Sequence, residues 1–446
     1  MTFKDYIERS PINHWQIFIA VIVLFALMVD GLDLLMLSFV SPFIIEEWGV
    51  EKAAFGVALS AALVTMAIGA FAGGWAGDRF GRQRILMISV ISFSCATILI
   101  SVVTDLFWLT TLRLIGGLGF GAATPNGLAL ATEWLPDRAS ARVASAISVA
   151  SPLGGIIAGY VALLLVPIVG WRGSFIACGL LALTIGLIVL LAIPESPIFL
   201  TAHKRAGRAK NMVARVFGKK DAQTVNFEPT PTNTVTTKSI FTRQNLRFNI
   251  SLSLAFFCCS YVTFGVSSWI TVMLISLGLE FSDAAQGLLA FNFLAVASAF
   301  FMPSLLTLYG SRTTMLLAAS LTLALCSAIT LVTSSQHPLS YATFSLVLWV
   351  IAGGLGLSQG LFNATFYAVI TAGYSASMRA SGSGFALMVN RAGGVVSIIV
   401  SGIVMTATQE SAPAFALTLG AVILVAIGAV LIIDRHIPPM PTKRIS

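Results

Sequence analysis

Long apolar runs, each near the length needed to cross a bilayer, follow one another along almost the whole chain. They constrain the fold before any motif is considered. A hydrocarbon core about 30 Å thick is crossed by roughly 20 helical residues. Within it, only helices and closed barrels satisfy their own backbone polar groups. Such runs lie near 16–40, 54–75, 85–104, 107–131, 143–168, 173–193, 248–278, 283–308, 314–333, 340–372, 381–406 and 412–433. Composition agrees, with 57% hydrophobic and only 10% charged residues, where a soluble domain carries about 25% charged. The chain is expected to be an all-α polytopic membrane protein of twelve transmembrane helices.

The net charge of +8 is distributed by topology and gives no indication of a nucleic-acid partner. Basic residues gather at the termini and in alternate loops: Arg79, Arg82 and Arg84, then Arg138 and Arg142, ten between 194 and 247, Arg312 and Arg379. The opposite loops hold Lys52 and Arg172. By the positive-inside rule both termini are expected to be cytoplasmic, as an even number of spans requires. The N-terminus is polar (Lys4, Asp5, Glu8, Arg9) and the first apolar run exceeds a signal h-region, so no cleavable signal is expected. The five cysteines all fall within spans, without metal-site spacing, and read as small apolar residues.

One polar stretch, 194–247, divides the spans six and six. The expected organisation is an N-terminal six-helix bundle (1–193), a cytoplasmic linker (194–247) and a C-terminal six-helix bundle (248–446). The first part of the linker can form short amphipathic helices, and its Thr/Pro-rich part reads as flexible. The halves repeat. Gly116-Gly117-Leu118-Gly119 recurs as Gly353-Gly354-Leu355-Gly356, Arg138-Ala139-Ser140 as Arg379-Ala380-Ser381, and Gly154-Gly155 as Gly393-Gly394. The shared order implies two parallel six-helix repeats. In this alignment Arg113 falls opposite Val350, so only the first half places a charge there.

Charges inside spans carry the functional signal. Asp30 and Asp33 sit three residues apart in the first span, on one helix face. A carboxylate in hydrocarbon costs roughly 2.5–3.5 kcal/mol on insertion scales, so such groups face a water-filled path or a buried cation and often carry protons. Arg391 lies about ten residues into span 11. A cation that deep needs a partner, and a guanidinium holds a carboxylate in a fork. The ordinary alternatives are an arginine snorkelling to the interface and a structural salt bridge. Gln359, Asn363 and Phe366/Tyr367 recur at helical spacing in span 10. With Tyr261 in span 7 and Asn292 in span 8, they could line a cavity suited to a ring-bearing acid. Most transmembrane aromatics, however, simply pack or meet lipid. No phosphate-binding GxxxxGK[ST] loop is present, which argues against ATP-driven transport, and the histidines form no metal cluster. No enzyme signature appears.

Between spans 2 and 3 the chain reads Gly74-Trp75-Ala76-Gly77-Asp78-Arg79-Phe80-Gly81-Arg82-Gln83-Arg84. This resembles the major facilitator superfamily signature G-x-x-x-D-R-x-G-R-x-R. Asp30-Gly31-Leu32-Asp33 resembles the D-G-x-D element of the superfamily's aromatic acid:proton symporter family. Thr124-Pro125-Asn126, Glu133, Pro194-Glu195-Ser196-Pro197 and the Arg379/Arg391 pair are also similar to that family.

The resemblance implies proton coupling through Asp30, Asp33 and Arg113, with protons as coupling ion and no other cofactor. Together with the span readings above, it makes Arg391, Asn363, Tyr367, Gln359, Phe366, Tyr261, Asn292 and Asn126 the expected substrate-binding residues. It implies a cytoplasmic gate of Asp78, Arg79, Arg82, Glu133, Arg142, Glu195 and Arg379, with Asp78 facing the N-terminus of span 11. The expected function is import of a small aromatic carboxylate across the bacterial inner membrane by a monomer whose halves rock about a central site. Two alternatives stand: proton-driven efflux of an organic anion or drug, and a ligand sensor without flux. Antiport members often carry G-P-x-x-G-G in span 5. Here Ser151-Pro152-Leu153-Gly154-Gly155 is incomplete, which favours import.

Overall fold

The computed structural model describes residues 3–136, 139, 143, 149–203, 205–218, 223, 225, 227, 242–334, 340–374 and 379–439. Among them the long elements are all α-helices: α1 (Phe3–Arg9), α2 (His14–Trp48), α3 (Lys52–Phe80), α4 (Arg82–Ile100), α5 (Leu106–Glu133), α6 (Ala150–Ala192), α7 (Pro197–Ala202), α8 (Ala206–Phe217), α9 (Arg243–Ser276), α10 (Phe281–Ser334), α11 (Tyr341–Gly373), α12 (Arg379–Ala407) and α13 (Ala412–Ile432).

Ten of these helices are long and apolar enough to cross a membrane. Two are double. At 43 and 54 residues, α6 and α10 are roughly twice the length a bilayer needs. Each breaks at a glycine in the left-handed region, Gly170 (φ 69°) and Gly310 (φ 74°). A glycine takes that conformation without steric cost. The breaks fall in the intervals expected between 168 and 173 and between 308 and 314. Counting each double helix as two spans gives the twelve read from the sequence.

Several helix starts are fixed by side-chain caps. The Asp105 carboxylate accepts the Trp108 N–H at 3.0 Å, and the Ser340 and Ser411 hydroxyls accept those of Thr343 and Ala414, both at 3.4 Å. Each covers a donor that the first helical turn leaves without a partner.

Packing groups the chain into two compact units that do not follow the 193 and 247 limits. The first unit comprises Met1–Leu34, Val64–Gly154 and Arg172–Thr234; the second comprises Leu35–Leu63, Gly155–Trp171 and Val235–Ser446. The divisions cut through α2, α3 and α6.

In the first unit α4 runs along α5. Gly31 in α2 lies on the Ser151 backbone, and Gly154 in α6 lies on the Met28 backbone, with no room for a Cβ. In the second unit α9 packs on α12 and α13, and α10 runs along α11 and α13. There Gly393 lies on the Phe257 backbone. The repeated glycine pairs thus do the same work in each half: they let two helix backbones meet where lipid provides no hydrophobic drive.

The linker forms α7 and α8, the short helices expected. Ala209, Val213 and Val216 of α8 are buried, while Arg208, Lys210 and Arg215 are exposed. The N-terminal α1 was not expected. Its Phe3 and Ile7 are buried, Phe3 meets Trp134 edge-on at 5.8 Å, and Tyr6 meets Phe217 at 5.3 Å. The Gln16 amide donates to the Trp134 carbonyl at 2.6 Å, and the Asn13 amide to that of Val216 at 2.9 Å.

Candidate functional site

The first unit holds a charge pair deep in the spans. Asp33 on α2 and Arg113 on α5 are 2% and 1% exposed. Arg113 Nη1 donates to Asp33 Oδ2 at 2.6 Å, and Nη2 to the Asp33 carbonyl at 3.2 Å. The other carboxylate oxygen, Oδ1, accepts from Thr97 Oγ1 on α4 at 2.6 Å. Three helices therefore meet at one carboxylate whose two oxygens are both occupied. Desolvating such a pair costs several kcal/mol per ion, offset only by good geometry and further hydrogen bonds. Asp30, also buried, lies about one turn earlier on the same helix. Sequence reasoning missed Thr97. A threonine in a span commonly bonds back to its own helix, and Thr97 does so as well, at 2.9 Å to the Phe93 carbonyl.

The second unit holds a polar cluster beside aromatic rings. Gln359 Oε1 accepts from Thr263 Oγ1 at 3.3 Å and from Cys259 Sγ at 3.4 Å; its Nε2 donates to Thr322 Oγ1 at 2.8 Å. Asn363, one turn on, donates to the Gln359 carbonyl at 3.3 Å and to Thr263 Oγ1 at 3.5 Å. Tyr367, one turn further, is 46% exposed. The Arg391 guanidinium lies 5.8 Å from the Phe264 ring centre, within cation–π reach. Among the described residues no carboxylate pairs with it.

Four further substrate candidates are buried and make packing or backbone contacts. Phe366 is fully buried and stacks on Phe256 at 4.8 Å. Its neighbour Tyr367 meets the same Phe256 ring edge-on at 5.9 Å. Tyr261 is buried, and its carbonyl accepts from the Ser397 hydroxyl at 2.5 Å. Asn292 is buried, donates to the Leu288 carbonyl at 2.9 Å and lies against Gly155. Asn126 is fully buried and donates to the carbonyls of Gly73 and Ala122, both at 2.8 Å, tying α5 to α3.

The signature loop builds an acid-and-base cluster in the first unit. Arg82 Nη2 lies 2.6 Å from Asp78 Oδ1, and its Nε lies 3.6 Å from Glu133 Oε1. Glu195 Oε1 accepts the Gln83 N–H at 3.1 Å, at the start of α4, and the Ser196 N–H at 2.9 Å. A carboxylate there suits the positive end of the helix. The Glu195 carboxylate occupies the space a Cβ at position 81 would need, and Gly81 has φ 117°, so the motif's second glycine is required twice over. The Arg79 guanidinium stacks over Trp75 at 5.5 Å and Phe80 at 5.8 Å. Arg142 lies outside the described residues. Arg379 opens α12, and its side chain lies outside them too.

Within the second unit, segments from the first half of the chain are fastened to α12 and the turn after it. Lys52 pairs with Glu410, and the Ala53 N–H donates to Thr406 Oγ1 at 3.1 Å. Gly56 faces the Ile398 carbonyl and Gly402 the Lys52 carbonyl, both without room for a larger residue. Gln409 and Glu410 take left-handed backbone (φ 50° and 68°), which few side-chain-bearing residues adopt.

The family model for the Major Facilitator Superfamily matches residues 23–398. The chain is 30% identical to the gallate transporter of Pseudomonas putida, a match covering 63% of this chain and 64% of that protein, just under two thirds. It is 28% identical to the 4-hydroxybenzoate transporter PcaK of Pseudomonas aeruginosa over 66% and 67%. Over 97% of each chain it is 24% identical to the niacin transporter NiaP of Acinetobacter baylyi. Two solved structures are similar in fold. A bacterial homologue of the human lysosomal transporter Spinster, inward-facing and occupied, has a TM-score of 0.70 at 16% identity, over 95% of this chain and 97% of that one. The proton:xylose symporter XylE has a TM-score of 0.69 at 15% identity, over 94% of each.

Proposed function

Because this chain belongs to the major facilitator superfamily, we propose that it is a proton-coupled secondary transporter importing an aromatic carboxylate by alternating access across the bacterial inner membrane. The observation that carries this reading is Arg391: a half-buried guanidinium on α12, with no acid partner among the described residues, beside Phe264. A substrate carboxylate completes that fork. Phe264 and the accessible Tyr367 offer faces for the ring, and Asn363 offers an amide. Gallate, 4-hydroxybenzoate and niacin, named for the relatives, are all carboxylates on a ring.

The Asp33–Arg113 pair supports proton coupling. Asp33 takes the proton and Arg113 sets how readily it does so, with Asp30 as a second carrier on the same face. The Asp78–Arg82–Glu133 cluster and Glu195 latch the cytoplasmic face. The basic loops support cytoplasmic termini, which turns the Lys52–Glu410 contact outward. The carrier works as a monomer.

The test is uptake of labelled gallate, 4-hydroxybenzoate and nicotinate by proteoliposomes of the purified protein. Accumulation should follow an inward proton gradient and vanish with a protonophore. Extrusion against that gradient makes the chain an exporter; binding without flux makes it a sensor. Two aspartates permit a second proton, which adds about 2.3 kcal/mol per 100 mV of potential. Uptake of a monoanion is therefore expected to rise with a negative-inside potassium–valinomycin potential. Indifference to the potential rejects the second proton.

A further inference from the structure

A cleft of about 440 Å³ lies in the first unit where the end of α6, the start of α4 and the linker helices meet. Four arginines line it: Arg84, Arg205, Arg208 and Arg215. Among the described residues none of the four pairs with an acid. The acid in its wall, Glu195, already accepts the Gln83 and Ser196 amides. Four guanidinium groups around one carboxylate leave the cleft net positive, a charge that an anion would balance. The rest of the wall is largely apolar and includes Leu190, which with Leu187 and Leu191 belongs to the exposed apolar surface at the end of α6.

The level of the cleft in the bilayer follows from two contacts. Arg215 donates to the Leu191 and Ala192 carbonyls at 3.4 Å, capping the last apolar turn of that span. Phe80, which also lines the cleft, carries the Arg79 guanidinium at 5.8 Å, beside the exposed Trp75. Exposed aromatic and basic side chains together mark the boundary between hydrocarbon and headgroups. A cation-rimmed cleft opening onto apolar surface at that depth has the chemistry of an anionic amphiphile. A freely soluble anion would use the rim and leave the apolar wall unmatched.

We propose that this cleft is a binding site for a phospholipid with a net negative headgroup, the phosphodiester held by Arg84, Arg205 and Arg208 and an acyl chain laid along Leu190. The lining of the cleft includes neither Arg391 nor Asp33. It requires only that α6 crosses the bilayer, so it stands independently of the transport reading.

The test uses the full-length protein in detergent. Phosphatidylglycerol, phosphatidylcholine with the same acyl chains, and inorganic phosphate are added separately. Lipid retention is read by native mass spectrometry, and protection by thermal unfolding. Wild type should favour phosphatidylglycerol over phosphatidylcholine by roughly tenfold, in line with the attraction of basic clusters to anionic lipid. Arg205→Gln/Arg208→Gln should erase most of that preference, and Arg205→Lys/Arg208→Lys should keep most of it. Equal retention of both lipids by wild type, or an unchanged preference in the glutamine variant, overturns the proposal. Protection by inorganic phosphate equal to that by phosphatidylglycerol assigns the cleft to a soluble anion and also overturns it. If the glutamine variant does not fold, the three wild-type titrations decide.

Discussion

Asp33 and Arg113 are each other's main reason for being where they are. Removing one partner of a buried pair costs about 3–5 kcal/mol, because the survivor keeps its desolvation penalty. Asp33→Asn is therefore expected to lower the unfolding temperature in detergent more than Asp33→Asn/Arg113→Gln does. Equal melting of the two variants removes the pair from the stability of the fold. In proteoliposomes Asp33→Asn should lose proton-driven accumulation while retaining substrate exchange; accumulation at the wild-type level takes Asp33 out of coupling. At the other centre, Arg391→Ala should weaken substrate binding by roughly 10- to 100-fold, the scale of a lost charge-assisted bond. Arg391→Lys, which keeps charge but not the planar fork, should fall between. Unchanged affinity in a folded Arg391→Ala protein makes the residue structural. These charges were legible in the sequence because hydrocarbon makes them conspicuous. Thr97 and Thr263 were not, because a hydroxyl in a span usually satisfies itself. The stacking of Phe366 and the backbone bonds of Asn126 were not legible either, because residue type does not reveal which way a side chain turns.

The helices themselves were read well from apolar length, which physics fixes within a few residues. What escaped was whatever leaves little trace in hydropathy. α1 is seven residues long, and its place depends on Trp134, more than a hundred residues away. The segment after α13 is another such element. It docks on the break at Gly310: the Ser311 N–H donates to the Ile437 carbonyl at 2.9 Å, and the Ile437 N–H to Ser311 Oγ at 2.8 Å. His436 Nδ1 lies 3.1 Å from Ser311 Oγ, and Nε2 lies 3.2 Å from the Val430 carbonyl. A neutral ring fits both, accepting from the serine and donating to the carbonyl. Burial, aided by Arg312 and opposed by the Val430 bond and Asp434, holds the imidazole below its ordinary value. The docked state thus disfavours the proton. Docking is intact above the ordinary imidazole value of about 6.5 and weakens as pH falls below it. Hydrogen exchange at the Ser311 and Ile437 amides should quicken on acidification through that range, and His436→Gln should flatten the response. Equal protection on both sides of the range separates the docking from the ring.

For the molecule as a whole, the sequence halves and the packed units differ. A hydropathy pattern records what each segment meets as solvent, not which segments close on one another. The joint made by Lys52, Ala53, Gly56 and Gly402 shows how light such a closure is. It rests on one ion pair whose acid is 40% exposed, one amide-to-hydroxyl bond and two backbone approaches at glycine. A pair that open contributes about 0–1 kcal/mol and is screened over about 8 Å at physiological salt. Disulfide trapping between cysteines placed at Ala53 and Thr406 should slow in high salt and in Lys52→Gln, and salt should then cease to matter in the variant. Trapping at one rate throughout makes the pair incidental. If the chain imports as proposed, its uptake rate carries a dependence on the ionic strength of the medium, set at this one half-exposed pair.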